Sequence, residues 1–372
     1  MKYLVVAPSW VGDMVMAQVL LISLRQQDPE AEIDLLAPGW CAPLASRMAQ
    51  VDRLIPMPFG RGEVKLAARY RFAVTLRAES YDRAIVLPNT LKSALIPFWA
   101  QIPVRTGWRG EIRYGLLNDL RRLHKQSHIS MSQRYGALAY PEGESLPARL
   151  PSPSLTVDAE GVARLRTALK LKDSGPVLAL CPGAAGGPAK RWPAVHYGAV
   201  ASHLVARGWQ VWVFGAKGEE GLAQELVTGL APVARKNVSV LVGRTRLEDV
   251  VDLLSCADAV VANDSGLMHI AAALARPLVA LYGPTSPQFA PPLTSQCRIL
   301  RLPLECSPCG QKICPLGHGR CMWNLKPDRV IQALDGLAGR ASDVGQPQDA
   351  GQPQDAGQPQ DAGQPQDAGQ PQ

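Results

Sequence analysis

The segment from Ala259 to Leu274 constrains the fold more strongly than any other part of this chain. A short apolar run stops at Asn263-Asp264-Ser265-Gly266, and a helical pattern of small residues follows at once. This order predicts a buried parallel strand, a tight turn and the start of a helix. The first turn of such a helix has unpaired backbone N–H groups and the positive end of the helix dipole, so it predicts an anion site. Asp264 and His269 lie where they could hydrogen-bond the rest of such a ligand.

A second loop with matching chemistry comes earlier in the chain, at Cys181–Pro193. It follows the apolar run 176–180 and precedes a helical pattern at about 195–207. Small residues let a ligand approach the backbone, and Lys190 and Arg191 add positive charge. The loop matches neither the Walker A nor the dinucleotide-binding glycine pattern, and alone it is explained equally well as a solvated turn. Two such loops after strands of one domain favour a nucleotide diphosphate.

Strand and helix patterns alternate over two parts of the chain, which predicts an α/β fold with parallel sheets. The strand patterns lie at 3–7, 32–37, 53–57, 83–88, 176–181, 210–215, 238–242, 258–263 and 277–282. The helical patterns outside the second loop's region include 14–27, 40–50, 62–78, 90–100 and 327–338. A chain of 372 residues exceeds what one core usually supports.

We therefore predict two domains with a ligand cleft at the strand carboxyl ends. The N-terminal domain spans residues 1–156 and ends in a proline-rich linker, and the C-terminal domain spans 157–340. From Gly345 the unit Gly-Gln-Pro-Gln-Asp-Ala occurs four times, followed by Gly-Gln-Pro-Gln. This composition has no side chain able to build a core, so we expect residues 341–372 to form a disordered tail.

Positive charge is concentrated in one segment of the first half. The net charge is +7, and seven Lys or Arg residues stand against two acidic residues between Trp99 and Tyr135. A solvated basic face is the plain explanation, whereas arginines that bind phosphates or carboxylates give a sharper one. The charge alone would suit nucleic acid, a membrane surface or a phosphorylated substrate. The sequence shows neither a signal peptide nor an apolar run near the ~20 residues that span a bilayer, so we expect a cytosolic protein that can touch a membrane.

Asp13 follows the first predicted strand, in the loop that enters the first helix. A carboxylate at the carboxyl end of a strand can accept a proton from an incoming hydroxyl. It can equally cap the helix or interact with its dipole, and the spacing alone favours this structural role. Lys92 starts another predicted helix on the same edge of the sheet.

Four cysteines lie close together near the end of the globular region, at positions 306, 309, 314 and 321, with His318 among them. The first pair has the spacing of a zinc knuckle, but the second pair does not repeat it. A structural zinc ion at Cys306, Cys309, Cys314 and Cys321 and a set of reduced thiols both stay open, and the zinc ion is not favoured. A catalytic metal fits less well, because the cluster is not aligned with the two anion loops.

Four separated motifs resemble those of glycosyltransferase family 9. They are Pro-Ser-Trp-Val-Gly-Asp-Met at 8–14, Lys-Arg-Trp-Pro at 190–193, Asn-Asp-Ser-Gly-Leu-Met-His at 263–269 and Leu-Tyr-Gly-Pro-Thr-Ser-Pro at 281–287. Their order is kept over about residues 1–338. The resemblance implies the GT-B architecture, in which two Rossmann-like parallel-sheet domains face a cleft. It also implies that the acceptor binds the N-terminal domain and ADP-heptose the C-terminal domain.

Carried over position by position, the resemblance implies that Asp13 deprotonates the acceptor hydroxyl and that Lys190 neutralises the departing diphosphate. The implied donor-binding residues are Ala185, Gly186, Arg191, Glu219, Asp264, Ser265, Gly266 and His269. Ser265 and Gly266 would donate backbone N–H groups, and Glu219 would contact the ribose or adenine. In the basic domain we expect Lys92, Arg105, Arg109 and Arg113 to bind the acceptor.

The reaction implied by the resemblance is an inverting transfer of heptose from ADP-heptose to the first heptose of the lipopolysaccharide inner core. It would take place at the inner face of the inner membrane, with no required cofactor or catalytic metal and no nucleic acid partner. Transfer to Kdo or to a branch heptose is the nearest alternative. A nucleotide-sugar epimerase and a non-catalytic nucleotide sensor are alternatives from other functional classes.

Overall fold

The computed structural model describes residues 1–60 and 62–343, which form two six-stranded sheets and the helices that cover them. The strands of the first sheet are β1 (Lys2–Val6), β2 (Glu32–Pro38), β3 (Arg53–Met57), β4 (Arg83–Val86), β5 (Val104–Trp108) and β6 (Asp119–Arg121). The strands of the second sheet are β7 (Val177–Cys181), β8 (Gln210–Val213), β9 (Val238–Val240), β10 (Ala259–Asn263), β11 (Leu278–Leu281) and β12 (Cys297–Leu300).

Helices follow most of these strands and pack on both faces of the sheets. In the first half they are α1 (Val11–Gln27), α2 (Ala42–Ala45), α3 (Leu66–Thr75), α4 (Leu91–Trp99) and α5 (Met131–Gly136). In the second half they are α6 (Ala159–Ala168), α7 (Ala194–Ala206), α8 (Glu220–Thr228), α9 (Pro232–Arg235), α10 (Leu247–Leu254), α11 (Gly266–Ala273), α12 (Arg320–Trp323) and α13 (Pro327–Asp343). None of the helices within these residues has both the length and the apolar composition needed to cross a bilayer.

The two sheets are parallel throughout and have equivalent strand orders. The first runs β3-β2-β1-β4-β5-β6, and the second runs β9-β8-β7-β10-β11-β12. Leu4 of β1 pairs with Asp34 and Ala84, and Leu180 of β7 pairs with Val213 and Val261. In each sheet the order reverses between the two central strands, where doubly wound folds bind ligands at the strand carboxyl ends. The prediction of two Rossmann-like parallel-sheet units is confirmed.

Element boundaries differ from the sequence predictions in several places. Helix α1 begins at Val11, so Asp13 belongs to its first turn rather than to the loop before it. Strands β5, β6 and β12 were not predicted, because they are short and carry polar residues. Helix α13 continues to Asp343, so residues 341–343 are helical and not part of a disordered tail. The rest of the predicted tail, residues 344–372, lies outside the described residues.

The two halves are joined by direct packing of α1 against α11, and one hydrophobic core runs through both. A Cβ atom on Gly12 would lie 2.8 Å from the His269 ring, and one on Gly266 would lie 2.8 Å from the Val11 side chain. Real Cβ atoms do not approach this closely, so both glycines are needed for the helices to start side by side. This crossing brings the carboxyl ends of β1 and β10 together.

Away from the site, a buried ion pair and the segment between the sheets also hold the two halves together. Arg47 donates to the Asp252 carboxylate at 2.6 Å, and this carboxylate also accepts the Asp158 N–H at 2.9 Å. Ser154 exchanges two hydrogen bonds with the Gln18 side chain of α1. The predicted domain boundary at residues 156 and 157 lies between these contacts.

Candidate active site

Four side chains that the sequence singled out meet where the two halves touch. Asp13 comes from the first turn of α1, while Lys190 ends a short 3₁₀ turn after β7. Asp264 follows β10, and His269 lies in the first turns of α11. The charges of Lys190 and Asp264 act directly on Asp13, so these groups share one small electrostatic environment. The two anion loops and the first-half carboxylate therefore belong to a single site.

Asp13 is held in a state suited to accepting a proton near neutral pH. Burial raises the pKa of its carboxyl to about 6, while the Lys190 ammonium lowers it and the Asp264 carboxylate raises it. A hydrogen bond with the Tyr135 hydroxyl also lowers this pKa. A base whose pKa lies just below the working pH is ionised and still basic enough to take a proton.

Lys190 and Asp264 form an ion pair at the carboxyl ends of the strands of the second sheet. The Lys190 Nζ atom donates to Asp264 Oδ2 at 2.6 Å, and the Thr285 hydroxyl donates to the same oxygen at 2.6 Å. The Lys190 side chain is about one-fifth exposed and the Asp264 side chain is buried. Lys190 is thus fixed in place by a partner, while about one-fifth of its side chain stays exposed.

The amino end of α11 is open in the way an anion site requires. Ser265 precedes the helix in extended conformation, and its hydroxyl does not cap the first turn. Within the described chain this hydroxyl oxygen is buried and has no hydrogen-bond partner. The first N–H groups of α11 and the helix dipole therefore stay available to a negative group.

His269 lies at the junction of α1 and α11 and is neutral at physiological pH. Burial lowers the pKa of its imidazole to about 4, while Asp264 raises this pKa and Lys190 lowers it. The ring can therefore hydrogen-bond a ligand or hold the junction, but it does not carry charge. Its predicted contact with the donor stays a prediction.

The glycine-rich loop after β7 is anchored to β10 by a residue that the sequence reading did not single out for this purpose. The Asn263 side-chain amide donates to Pro182 O at 2.7 Å. Its carbonyl oxygen accepts from Trp192 N at 3.1 Å and from the Tyr197 hydroxyl at 3.0 Å. All of these partners are buried. Asn263 thus fixes both ends of the loop that carries Lys190.

The cysteine-rich segment, residues 305–321, packs against both donor-side loops. The Lys312 carbonyl accepts the Ala189 N–H at 3.1 Å, and a Cβ on Gly187 would lie 2.5 Å from that carbonyl oxygen. Gly187 also has a φ of +128°, which strongly favours glycine. On the other loop, the Pro284 carbonyl accepts the Gly310 N–H at 2.6 Å, and the Ser307 hydroxyl donates to Gly283 O at 2.6 Å.

The four thiols of this segment are unpaired and lie near one another. The charges of the other three raise the pKa of Cys321, although burial contributes most to that shift. Backbone N–H groups of residues 316–319, led by Gly319, lower the pKa of Cys314. Among the described residues, no three His, Cys, Asp or Glu side chains stand in an arrangement that could hold a metal ion. The segment is held against the loops by its backbone contacts and by the Ser307 hydroxyl.

The remaining predicted donor residues surround the same loops. The Glu219 carboxylate accepts the Ala216 N–H at 2.9 Å and lies against Gly183 and Gly215, where any added Cβ would collide with it. It therefore sits at the carboxyl ends of β7 and β8. Gly186 lies against the Lys190 side chain, and Ala185 and Arg191 are exposed on the loop.

Two of the four predicted acceptor residues have structural tasks instead. Arg113 is completely buried and donates to Pro88 O, Asn89 Oδ1 and Trp108 O. Arg105 donates to the carbonyls of Ile102 and Leu116. Ile102 precedes β5, so the Arg105 guanidinium lies towards the amino end of the sheet, away from the site. The structure thus argues against acceptor contacts by either side chain.

Lys92 and Arg109 remain at the edge that faces the site. Lys92 lies in the first turn of α4, directly after β4, and Arg109 follows β5 with its guanidinium over the Tyr114 ring. Arg109 is exposed and Lys92 is half-buried. We therefore retain only these two as acceptor-binding candidates.

The sequence analysis did not predict three features of the site. These are the contributions of Tyr135 and Thr285 and the hydrogen bonds by which Asn263 holds the glycine-rich loop. Thr285 and Asn263 lie inside motifs that the sequence had marked, so proximity to Asp264 was a usable signal for them. Tyr135 lies more than a hundred residues from Asp13 in an unremarked stretch, and no local pattern connects the two.

The chain is similar to known proteins over most of its length. The sequence profile of glycosyltransferase family 9 (heptosyltransferase) matches residues 69–319. Lipopolysaccharide heptosyltransferase 2 of Salmonella typhimurium is 46% identical over 342 residues, which cover 91% of this chain and 98% of that protein. Lipopolysaccharide heptosyltransferase 1 of Pseudomonas aeruginosa is 28% identical over 343 residues, covering 89% of this chain and 93% of its own. The solved structure of E. coli ADP-heptose lps heptosyltransferase II superposes with a TM-score of 0.83 at 43% identity, covering 92% and 100% of the two chains.

Proposed function

Because the chain belongs to glycosyltransferase family 9, we propose that it transfers heptose from ADP-heptose to the lipopolysaccharide inner core, adding the second heptose. The heptosyltransferase 2 relative from Salmonella matches nearly end to end at 46% identity, against 28% for the heptosyltransferase 1 relative from Pseudomonas. This difference favours the first inner-core heptose as acceptor over Kdo. The observation that best supports this chemistry is that Asp13, Lys190 and the amino end of α11 lie together in one site.

In the proposed reaction, Asp13 accepts the proton of the acceptor hydroxyl. The acceptor oxygen forms a bond to the anomeric carbon of the heptose while the bond from that carbon to the phosphate oxygen breaks, so the configuration inverts. The bonding electrons leave with the β-phosphate of ADP. General-base catalysis of this kind contributes roughly 10²–10⁴-fold.

The developing charge on the diphosphate would be met by groups that are already in place. Lys190 is fixed by Asp264, and the N–H groups of Ser265 and Gly266 begin α11. Fixed donors stabilise a transition state without reorganising during the reaction. Glu219, at the ends of β7 and β8, would contact the ribose or adenine, with Ala185, Gly186 and Arg191 lining the loop beside the phosphates.

We propose that the reaction requires no cofactor or metal ion. The positive charge of Lys190 and of the helix terminus supports this proposal, because these groups serve the purpose that a divalent cation serves in other transferases.

We also propose that the first half binds the acceptor at the inner face of the inner membrane. Exposed apolar side chains lie beside basic ones at the carboxyl edge of the first sheet: Leu91, Ile112 and Tyr114 beside Lys92 and Arg109. The Glu111 carboxylate accepts the Leu91 N–H at 2.6 Å, which holds the two loops together. Such a surface suits an anionic lipid layer.

The decisive experiment incubates the purified chain with ADP-heptose and defined truncated lipopolysaccharides, with products read by mass spectrometry. A mass increase of one heptose only on acceptors that already carry the first heptose is expected. Transfer to acceptors that lack it would identify a Kdo-directed enzyme. Epimerised ADP-heptose without any acceptor would indicate an epimerase, and unchanged function of an Asp13→Ala variant in cells would indicate a nucleotide sensor.

A further inference from the structure

Trp40 is a large apolar residue that lies exposed at the edge of the first sheet that holds Asp13. It follows β2, which ends at Pro38, and it is 44% exposed. Loops at this edge leave the carboxyl ends of parallel strands, where doubly wound folds bind their ligands. Single exposed apolar residues are ordinary on protein surfaces, so the position and the contacts of Trp40 decide whether it has a role.

The Trp40 ring is held against the loop that leads to the proposed base. Its indole Nε1–H donates to Ser9 O at 3.0 Å. Ser9 lies between β1 and α1, and Asp13 is in the first turn of α1. An indole has one N–H donor and no acceptor, and this bond satisfies that donor. The exposed part of the ring therefore offers a ligand apolar and aromatic surface.

The backbone around Trp40 is also fixed. The Cys41 N–H donates to Pro38 O at 2.9 Å, which closes a turn around Trp40. Cys41 is completely buried, and its carbonyl accepts the Leu44 N–H at 3.0 Å at the start of α2. A ring that is already held in place loses little conformational entropy when a ligand binds to it. Trp40 thus has the rigidity that a binding surface requires.

The strand order places Asp13 between an aromatic group and a basic group. Strand β1 lies between β2 and β4 in the first sheet. Trp40 follows β2, Asp13 follows β1 and Lys92 follows β4. Trp10, which is 41% exposed in the loop after β1, adds a second indole to this edge. A ligand that reaches Asp13 in the first half therefore has an indole on one side of the carboxylate and a cation on the other.

We propose that the exposed face of Trp40 binds the acceptor by stacking on a sugar ring, beside the hydroxyl that Asp13 deprotonates. This inference rests on the proposed function, in which the acceptor is a heptose of the inner core. One side of a pyranose ring presents C–H groups that carry partial positive charge. The face of an indole is its electronegative side, so the two surfaces attract each other while they bury apolar area. Aromatic side chains beside a few polar groups are typical of small-molecule sites.

The test is the KM for a deacylated, water-soluble acceptor that carries the first heptose, measured in Trp40→Leu and Trp40→Phe. Both substitutions remove the bond to Ser9 O, but only phenylalanine keeps an aromatic face. The KM for this acceptor should rise about tenfold in Trp40→Leu and about threefold in Trp40→Phe, since aromatic contacts have this strength. The KM for ADP-heptose should stay unchanged in both. Calorimetric titration with the acceptor alone should give the same order of affinities without turnover.

The matched control is Trp323→Leu, which removes a tryptophan that is 54% exposed in the second half. That variant should keep the wild-type KM for the acceptor. Trp40→Met, another flexible apolar replacement without a ring, takes the place of Trp40→Leu if the leucine variant does not fold.

Equally raised acceptor KM values in Trp40→Leu and Trp40→Phe would overturn the proposal, because they would assign Trp40 a structural role through its bond to Ser9. An acceptor KM that is unchanged in both variants would also overturn it. In that case, weaker co-sedimentation of both variants with phosphatidylglycerol vesicles would identify Trp40 as a membrane contact instead. If the wild-type chain transfers no heptose to this acceptor, the proposed function itself fails, so the two failures are distinguishable.

Discussion

At the scale of single residues, the site depends on burying charges that would be more stable in water. Asp13 carries a raised pKa because it is partly buried between the two halves of the molecule. Its electrostatic partners Lys190 and Asp264 come from a different half. Burial makes the carboxylate more basic than an exposed aspartate. It also means that the ionised side chain lowers the free energy of unfolding.

Replacing Asp13→Asn should therefore remove activity and add stability. The pKa is about 6 in the fold and 3.8 in a free side chain, so Asp13 favours the folded state below pH 4, and this contribution is lost as the pH rises through 6. Above pH 7 the variant should be about 3 kcal/mol more stable in urea unfolding, with no difference near pH 3.5. Turnover should fall by roughly 10²–10⁴. A variant less stable than wild type at pH 8 would contradict this account.

Chelation of divalent metals should leave the reaction rate unchanged. Lys190 and the first N–H groups of α11 are proposed to carry the charge stabilisation that a metal would otherwise supply. Initial rates with ADP-heptose and acceptor should agree within error before and after dialysis against EDTA. A rate that falls with EDTA and returns with Mg²⁺ would show that a metal takes part.

The sequence indicated some of these residues and not others, for a physical reason. Asp13, Lys190 and Asp264 each follow a strand within a recognisable motif, and strand ends in parallel sheets converge. Arg105 and Arg113 lie in an equally suggestive basic run, yet their guanidinium groups turn to backbone carbonyls. A basic run gives the number of charges but not the direction of each side chain. Tyr135 depends on a contact distant in sequence, which only the folded chain reveals.

At the scale of elements, the donor loops are supported by the cysteine-rich segment. The cysteine-rich segment contacts the glycine-rich loop through Lys312 and the loop after β11 through Ser307 and Gly310. Both loops carry groups of the proposed diphosphate site, namely Lys190 and Thr285. The segment therefore sets the spacing between them.

Gly187→Ala should reduce activity more than stability. An alanine there would place its Cβ 2.5 Å from Lys312 O, so the glycine-rich loop must move. We expect kcat/KM to drop at least about tenfold, as misplaced catalytic groups cost this much or more. The control is Gly208→Ala, which has a φ of +84° but nothing near its Cβ, and which should cost only about 1 kcal/mol of stability. Equal activities of the two variants would rule out a spacing role.

The order of elements was largely predictable, whereas the edges of the sheets were not. Central strands such as β1, β7 and β10 are buried apolar runs, which is the sequence signature of parallel strands. Strands β5, β6 and β12 lie towards the edges and mix charged with apolar residues. Only their neighbours in the sheet define them as strands. Strands β5 and β6 lie in the same stretch of sequence as the basic run. In that run, Arg105 and Arg113 were wrongly predicted to bind the acceptor.

At the scale of the whole molecule, the two halves are attached at points on either side of the site. The α1–α11 crossing lies beside the reacting groups, and the Arg47–Asp252 pair lies further away. Exposed ion pairs contribute little to stability, but a broken buried pair leaves a charge without its partner. The buried pair should therefore be a strong determinant of how the halves stay together.

Arg47→Met should lower the free energy of unfolding by about 3 kcal/mol, because the Asp252 side chain is only 3% exposed and would lose its counter-charge. Urea unfolding followed by circular dichroism measures this. Arg207→Met breaks a pair of similar length whose side chains are both about half exposed, and it should change stability by less than about 0.5 kcal/mol. Similar losses in both variants would mean that the buried pair has no special role.

Membrane binding should depend on the apolar edge of the first half. Ile112 is 81% exposed in the loop beside Arg109. Ile112→Glu should reduce co-sedimentation with phosphatidylglycerol vesicles about tenfold, since burying such a side chain is worth roughly 1.5–3 kcal/mol. Transfer to a deacylated, water-soluble acceptor should not change. Val233→Glu, an equally exposed site in the second half, should sediment like wild type. Unaltered sedimentation of the Ile112 variant would exclude this surface.

The pair of glycines at the α1–α11 crossing has a consequence for recombining members of this family. Gly12 and Gly266 each leave room for a side chain of the opposite half, so the surface of each half fits only a partner that has the matching glycine. Chimeras that graft the acceptor half of one homologue onto the donor half of another would inherit a working interface only if both partners keep these two positions small. Exchanging halves to change acceptor preference should therefore require both glycines at this crossing.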